Sequence, residues 1–219
     1  MLPQDPIIES QLAALQHEFG EQPNLDWYDE YLQVVANVDE WKFAAGDYFS
    51  PAPYEAERSG FPSPRLVKKQ YKNVDEARWL GKYCGGFHQG RHIVTVMPSE
   101  SSIQAIDADL FGISKNGAIT IRSISCKSMH RPGRRNSKVI GMRRFVELAH
   151  DSKLYMGVGE GGAWFVFVYK YLSDRPMAAH GYSNGISSES SWEFHYNESG
   201  KLDKITSGSG VLWARRTQF

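Results

Sequence analysis

The sequence predicts an α/β domain with a mixed sheet, preceded by N-terminal helices and followed by a C-terminal β-hairpin extension. Three observations predict it. Gln104 to Ile113 and Ala118 to Lys127 are β-rich runs on either side of a Lys115-Asn116-Gly117 turn, the pattern of a hairpin. Asn73 opens a capped helix before that hairpin, and Ser137 to His150 returns to helical spacing after it. Ala163 to Leu172 (A-W-F-V-F-V-Y-K-Y-L) is apolar on both faces, as a central strand requires. The order from Asn73 to Leu172 then reads α, β, β, β, α, β.

Each element has a local reason. Residues 6–19 read as a helix with Asp5 as N-cap, Pro6 at the first helical position and Ile8, Leu12, Leu15 and Phe19 near helical spacing, closed by Gly20. A second helix follows Asp26, with Trp27, Tyr31, Leu32 and Val35 on one side and Trp41 continuing that face. From Asp47 to Pro64 the prolines 51, 53, 62 and 64 and the aromatics Tyr48, Phe49, Tyr54 and Phe61 mark an irregular connection that packs against something. Asn73 and Glu76 stand in the capping-box relation, Ala77, Leu80 and Cys84 supply an apolar face, and Gly85-Gly86 stops that helix. Arg91 to Met97 is a β-branched strand ending at Pro98, and Val139, Met142, Phe145, Val146 and Ala149 set the helical period of the later segment. Leu154 to Val158 is a strand, and Trp192 to Tyr196 pairs with Lys201 to Thr206 across Asn197-Glu198-Ser199-Gly200. The chain divides into 1–64, helical elaboration and connection; 65–172, the core; and 173–219, the β extension.

At 219 residues with 41% apolar content, the chain can bury a sizeable core. Lys+Arg and Asp+Glu are equal at 25 each, so overall charge selects no partner. The distribution does. Between Asp109 and Glu147 there is no acid, while Lys115, Arg122, Lys127, Arg131, Arg134, Arg135, Lys138, Arg143 and Arg144 are basic, a one-sign field that favours an anionic partner. Cys84 and Cys126 are too few for a disulfide framework, and no apolar run approaches a membrane span, so a reduced cytoplasmic setting without membrane contact is expected.

The hairpin carries the candidate chemistry. Residues two apart on a strand share a face, so Asp107 and Asp109 point one way, and Ser125 and Lys127 converge with them on the next strand. A carboxylate holds a hard cation such as Mg²⁺ or Mn²⁺, which activates water and offsets charge on a phosphate. Glu147 is the candidate second acid. The arginines 131, 134, 135, 143 and 144, with Lys138, are candidates for phosphate contact. Gly157 to Gly162 does not read as a phosphate loop, because a strand follows it where a helix should begin.

This element order, with an acid on the second strand and x-x-Lys on the third, resembles the PD-(D/E)xK nuclease superfamily over residues 73–172. Asp109 to Ile113 (D-L-F-G-I) resembles its acidic strand, and Ile124 to Lys127 (I-S-C-K) its second half-motif, with Ser125 standing where the family's acid is usual. The resemblance implies a restriction-endonuclease-like αβββαβ core and metal-dependent hydrolysis of DNA. In that reading Asp109 binds Mg²⁺, Glu147 or Asp107 completes the site, and Lys127 positions the attacking water. Some restriction enzymes with Ser-x-Lys recover the acid from the next helix, which points to Glu147. Two rival expectations stand beside it. One is a catalytically inactive nuclease-fold protein that binds DNA or serves in an assembly such as a virion, motivated by Ser125. The other is a protein-binding module of the toxin-neutralising immunity kind, motivated by neutral charge and the Trp192–Tyr196 hairpin. A homodimer or a larger assembly is compatible with each.

Overall fold

The computed structural model describes residues 5–23, 25–99, 105–114, 117–127, 136–185, 189–208 and 210–215, with Lys127 and Asn136 described by backbone alone. Four α-helices occur among them: α1 (Pro6–Gly20), α2 (Trp27–Ala36), α3 (Glu55–Arg58) and α4 (Val74–Trp79). The strands are β1 (Glu40–Ala45), β2 (Arg65–Leu66), β3 (Tyr83–His88), β4 (Arg91–Val96), β5 (Ile106–Ile113), β6 (Ile119–Lys127), β7 (Asn136–Ala149), β8 (Ser152–Gly159), β9 (Trp164–Leu172), β10 (Arg175–Ser183), β11 (Ser190–Tyr196), β12 (Leu202–Ser207) and β13 (Gly210–Ala214). They hydrogen-bond in the order β13 back through β3 in unbroken sequence, then β1 and β2. The described pairings are antiparallel.

This overturns the α/β expectation. The core is not a restriction-endonuclease-like αβββαβ arrangement on a mixed sheet, because two of its elements are different. Residues 136–149 form β7, not a helix, even though Val139, Met142, Phe145 and Val146 sit near helical spacing. Val139, Ile140, Phe145 and Val146 favour a pleated surface, Gly141 weakens a helix, and a strand lies on either side to take the backbone hydrogen bonds. The helix at Asn73 stops at Trp79, well short of Gly85-Gly86. Gly81 ends it in the left-handed region (φ 73°), with Lys82 N–H donating to the Ala77 carbonyl and Gly81 N–H to Arg78, a Schellman closure. Cys84, Gly85 and Gly86 then belong to β3. Trp41 lies in β1, since α2 ends at Ala36. The strands β1, β2, β3, β10 and β13 were not separately expected.

Other expectations hold in detail. Asp5 caps α1 by accepting from Ile7 N–H at 2.9 Å, and Asn73 caps α4 by accepting from Glu76 N–H at 2.8 Å. The second helix follows Asp26, which caps it by accepting from Tyr28 N–H at 3.1 Å. The Glu76 carboxylate accepts from the backbone of Lys72 at 2.6 Å, one residue before a strict capping box. The hairpin β5–β6 forms in the register that pairs Asp107 with Ser125 and Asp109 with Ser123.

The chain divides into two compact units: His17–Phe49 with Pro64–Arg143, and Met1–Gln16 with Ser50–Ser63 and Arg144–Phe219. In the first, α2 lies against β4, β5 and β6 and buries Trp27 and Tyr31. The sheet face bearing Val96, Ala108 and Ile124 is set by direct cross-strand pairing of those residues. Arg78 of α4 is buried there and satisfied: Nε donates to the Met97 carbonyl, Nη2 to Ala105, and Nη1 meets Asp75 at 3.2 Å. The opposite face holds Phe49, Phe87, His92 and Phe111. Gly85 lets Phe49 lie on the sheet, because a Cβ there would come within 2.5 Å of that ring.

The second unit packs around Tyr155, Tyr169, Ala179, Phe194, Leu202 and Ile205. The 50–63 connection closes over this core: Tyr169 donates its hydroxyl to the Pro53 carbonyl at 3.3 Å, and the Tyr54 ring lies 5.4 Å from that of Phe194. The expectation that this aromatic connection packs against something is met by β9 and β11.

Candidate functional site

The expected metal hairpin is built differently from its chemistry. Asp107 is exposed, and Asp109 is buried at 4% exposure. Asp109 faces Ser123, whose hydroxyl donates to it at 2.7 Å, and Arg143 donates to the same carboxylate through Nη2. Arg143 also reaches the Ser123 hydroxyl at 3.2 Å, closing a three-residue ring. The carboxylate is therefore neutralised by a guanidinium where a cation ligand was expected. Ser125 is buried opposite Asp107. Glu147 is exposed on β7 and belongs to the other unit, so no helix after β6 presents it. The side chain of Lys127 and the whole of Arg131, Arg134 and Arg135 lie outside the described residues. Among the described residues no group of three or more His, Cys, Asp or Glu is placed to hold a metal ion.

The basic residues also separate. Arg143 and Arg144 are neighbours on a strand and so project from opposite faces. Arg143 turns inward to Asp109, and Lys138 is exposed at the other end of β7. Arg122 pairs with Glu18 at 3.5 Å and donates to Gln22 at 3.3 Å, tying β6 to the end of α1.

A different feature has the makings of a binding site. Arg58, the last residue of α3, is 7% exposed. Its guanidinium carbon lies 4.2 Å from the centre of the Phe167 ring, 5.0 Å from Trp192 and 5.4 Å from Tyr169. Its Nε is buried without a hydrogen-bond partner. The sheet beneath explains the geometry. Phe167 on β9 pairs with Gly181 on β10, which pairs with Ser190 on β11. A Cβ at Gly181 would come 2.6 Å from the Phe167 ring and 2.7 Å from Trp192, so the glycine lets both rings lean together and form the floor on which Arg58 rests.

Around this guanidinium is a cavity of about 160 Å³, lined by Glu55, Ser59, Phe167, Tyr182, Ser190 and Trp192 together with Arg58 and neighbouring backbone. At roughly 30 Å³ for each water in the liquid, it holds about five waters. The Glu55 carboxylate accepts from Ser50 Oγ at 2.5 Å and stands one helical turn from Arg58. Tyr182 donates to Glu189 at 2.9 Å, and that carboxylate also meets His180 Nδ1 at 3.1 Å. Burial, reinforced by Glu189, raises the Tyr182 phenol above its ordinary range and keeps it protonated at neutral pH.

The energetics single out Arg58. An arginine side chain stays charged at any physiological pH, and the effective cost of burying such an ion is several kcal/mol. A ring face in a desolvated site returns up to about 2 kcal/mol. The aromatic floor offsets part of the cost and leaves the donors unused. Arg78 meets the same problem with two carbonyls and a carboxylate, whereas Arg58 meets it with rings and open space. An oxyanion entering the cavity would supply the missing hydrogen bonds in a bidentate geometry.

Sequence reasoning missed Arg58. It stands in Glu55-Ala56-Glu57-Arg58 within the proline-rich connection, where nothing in the letters separates it from a solvated helix end. The aromatic wealth of the connection was the one local signal that this segment is buried. No protein-family model, curated protein or solved structure matches the chain.

Proposed function

We propose that the protein is a small-ligand binding protein whose site is the Arg58 cavity and whose ligand carries an oxyanion. The single observation that carries this reading is a buried guanidinium with aromatic neighbours, an Nε without an acceptor among the described residues and a cavity beside it. Small-molecule sites are concave, largely apolar and supplied with a few convergent polar groups, and this cavity has that composition. Phe167 and Trp192 give the apolar wall, Arg58 the charge, and Ser59, Tyr182 and Ser190 the hydroxyls.

The test uses acetate and propionate as probes, with the arginine Nε–H resonances followed by NMR and heats by calorimetry. Saturable binding at roughly millimolar Kd or tighter, with a shift of one arginine signal that Arg58→Met removes, is the expected result. Equal binding to wild type and Arg58→Met would overturn the assignment.

A DNA-directed role is the second reading, supported by the acid-free basic stretch between Asp109 and Glu147. Its hydrolytic form, with Mg²⁺ or Mn²⁺ on Asp109, drew on an αβββαβ order that this fold lacks and on a carboxylate that Arg143 already occupies. Binding without cleavage needs neither. Salt-dependent retention of duplex or single-stranded DNA that falls with Arg134→Ala and Arg135→Ala would establish it; no retention at low salt would remove it.

A further inference from the structure

The Arg58 cavity contains a second charge of opposite sign. Glu55 and Arg58 lie three apart on α3, a spacing at which a glutamate and an arginine ordinarily meet. Here both line one cavity, yet they form no ion pair: Glu55 turns to Ser50, and Arg58 turns to Phe167 and Trp192. The aromatic floor is the reason. Stacking on two rings of β9 and β11 draws the guanidinium down onto the sheet and away from its helical neighbour.

Two opposite charges that line one small cavity without pairing define a ligand that carries both signs. We propose that the site takes a small zwitterion of the amino-acid class, with its carboxylate on Arg58 and its ammonium on Glu55. This rests on the reading that the Arg58 cavity binds an oxyanion, and it names which oxyanion. The Ser59 and Tyr182 hydroxyl protons already go to the Glu55 carbonyl and to Glu189, so those oxygens are acceptors toward the ligand's ammonium, and Ser190 supplies a further hydroxyl. Phe167 and Trp192 face its carbon body. A phosphate dianion is disfavoured, because Glu55 would stand against its second charge. A free volume of about five waters limits the ligand to a compact side chain.

Further parts of the molecule were weaker carriers of a site. A groove lined by Asp174, Arg175, Met177, His195 and Tyr196 is wide, but Arg175 already stacks on Tyr196 at 5.7 Å. A groove lined by Phe19, Leu25, Trp27 and Val139 is largely apolar and shows nothing that would cover it.

The experiment compares four probes on the intact protein by calorimetry: propionate, alanine, ethylammonium and inorganic phosphate. Alanine should bind at least about tenfold more tightly than propionate, with phosphate weakest of the three anion-bearing probes. Glu55→Gln should remove the alanine advantage and leave propionate unchanged or tighter, while Arg58→Met should abolish both. If propionate binds as well as alanine, and Glu55→Gln changes neither, the zwitterion inference is overturned while the oxyanion site stands. If no carboxylate binds at all, both fall. Circular dichroism of each variant confirms the folded state, and a Glu55→Asp variant that retains part of the alanine preference separates charge recognition from a packing effect at α3.

Discussion

The Arg58 guanidinium rests 4.2 Å above the centre of the Phe167 ring, and that contact takes the place a carboxylate would hold in a buried ion pair. Such a contact leaves the cation's hydrogen-bonding capacity for something else. It also makes the residue costly to the fold. Arg58→Met fills similar space without a charge, so it should leave stability unchanged or raise it by about 1 kcal/mol or more, while binding is lost. Arg78→Met should behave oppositely. It strips donors from the Met97 and Ala105 carbonyls, and each buried acceptor left alone costs about 1–3 kcal/mol. Urea unfolding of the two variants, compared with binding, separates an arginine kept for a ligand from one kept for the fold.

Gly181 should tolerate no side chain. Its absent Cβ is the space into which the Phe167 and Trp192 rings lean. Gly181→Ala should cost about 1–3 kcal/mol through overpacking and change the Trp192 fluorescence as the ring is displaced. Binding at Arg58 should weaken in the same variant, since its floor moves. Unchanged melting and emission would show that the rings adjust freely.

Asp109 depends on Arg143. Removing the guanidinium leaves a buried carboxylate with one hydroxyl donor, and Arg143→Met should destabilise by about 3–5 kcal/mol. Adding Asp109→Asn to that variant should recover part of the loss, because an amide needs no counter-charge. A double-mutant cycle by denaturant unfolding measures this coupling, and a cycle that closes additively would mean that the pair does not interact.

His92 should make the protein acid-sensitive. Burial lowers its pKa from the ordinary 6.5 to about 4, against the opposing effects of its bond to the Val94 carbonyl and of Asp109. Nε2 donates to that carbonyl at 3.0 Å, so the neutral ring carries its proton there. The unfolded chain takes up a proton as pH falls through 6.5, and the folded ring does so only near 4. The stabilisation is thus complete above pH 6.5, declines between 6.5 and 4 and is level below, amounting to at most ~3 kcal/mol. His92→Phe keeps a ring among Phe49, Phe87 and Phe111 and should flatten that part of the pH–stability curve. An undiminished loss in the variant would assign the acid sensitivity to other groups.

The sequence carried more of the local structure than of the fold. The caps at Asp5 and Asn73 were legible because capping uses residues close in sequence. The β5–β6 hairpin was legible because its alternation and turn are both local. Residues 137–150 were misread because apolar residues at 139, 142, 145, 146 and 149 satisfy a helical period, and only neighbouring strands decide that the backbone bonds sideways. The Gly85-Gly86 pair was misread as a helix stop because the reasons for it are side chains brought close by the fold, Phe49 over Gly85 and Val38 and Val94 against Gly86. The same limit hid the candidate site. Asp109 has the letter of a metal ligand, and its partner is an arginine 34 residues on.

What the sequence determined by itself, then, was the set of short-range commitments: helix starts, tight turns, alternating strands, a local excess of basic charge and two cysteines too few for a disulfide framework. The tertiary structure alone decided which sheet those strands made and which charges met. It turned the Asp109 carboxylate toward Arg143 and laid Arg58 on Phe167 and Trp192 while Glu55 bonded to Ser50. The physical reason is that an ionisable side chain takes its chemistry from what is near it in space. For Arg58 those neighbours are a ring on β9 and a ring on β11, brought together over a glycine on β10.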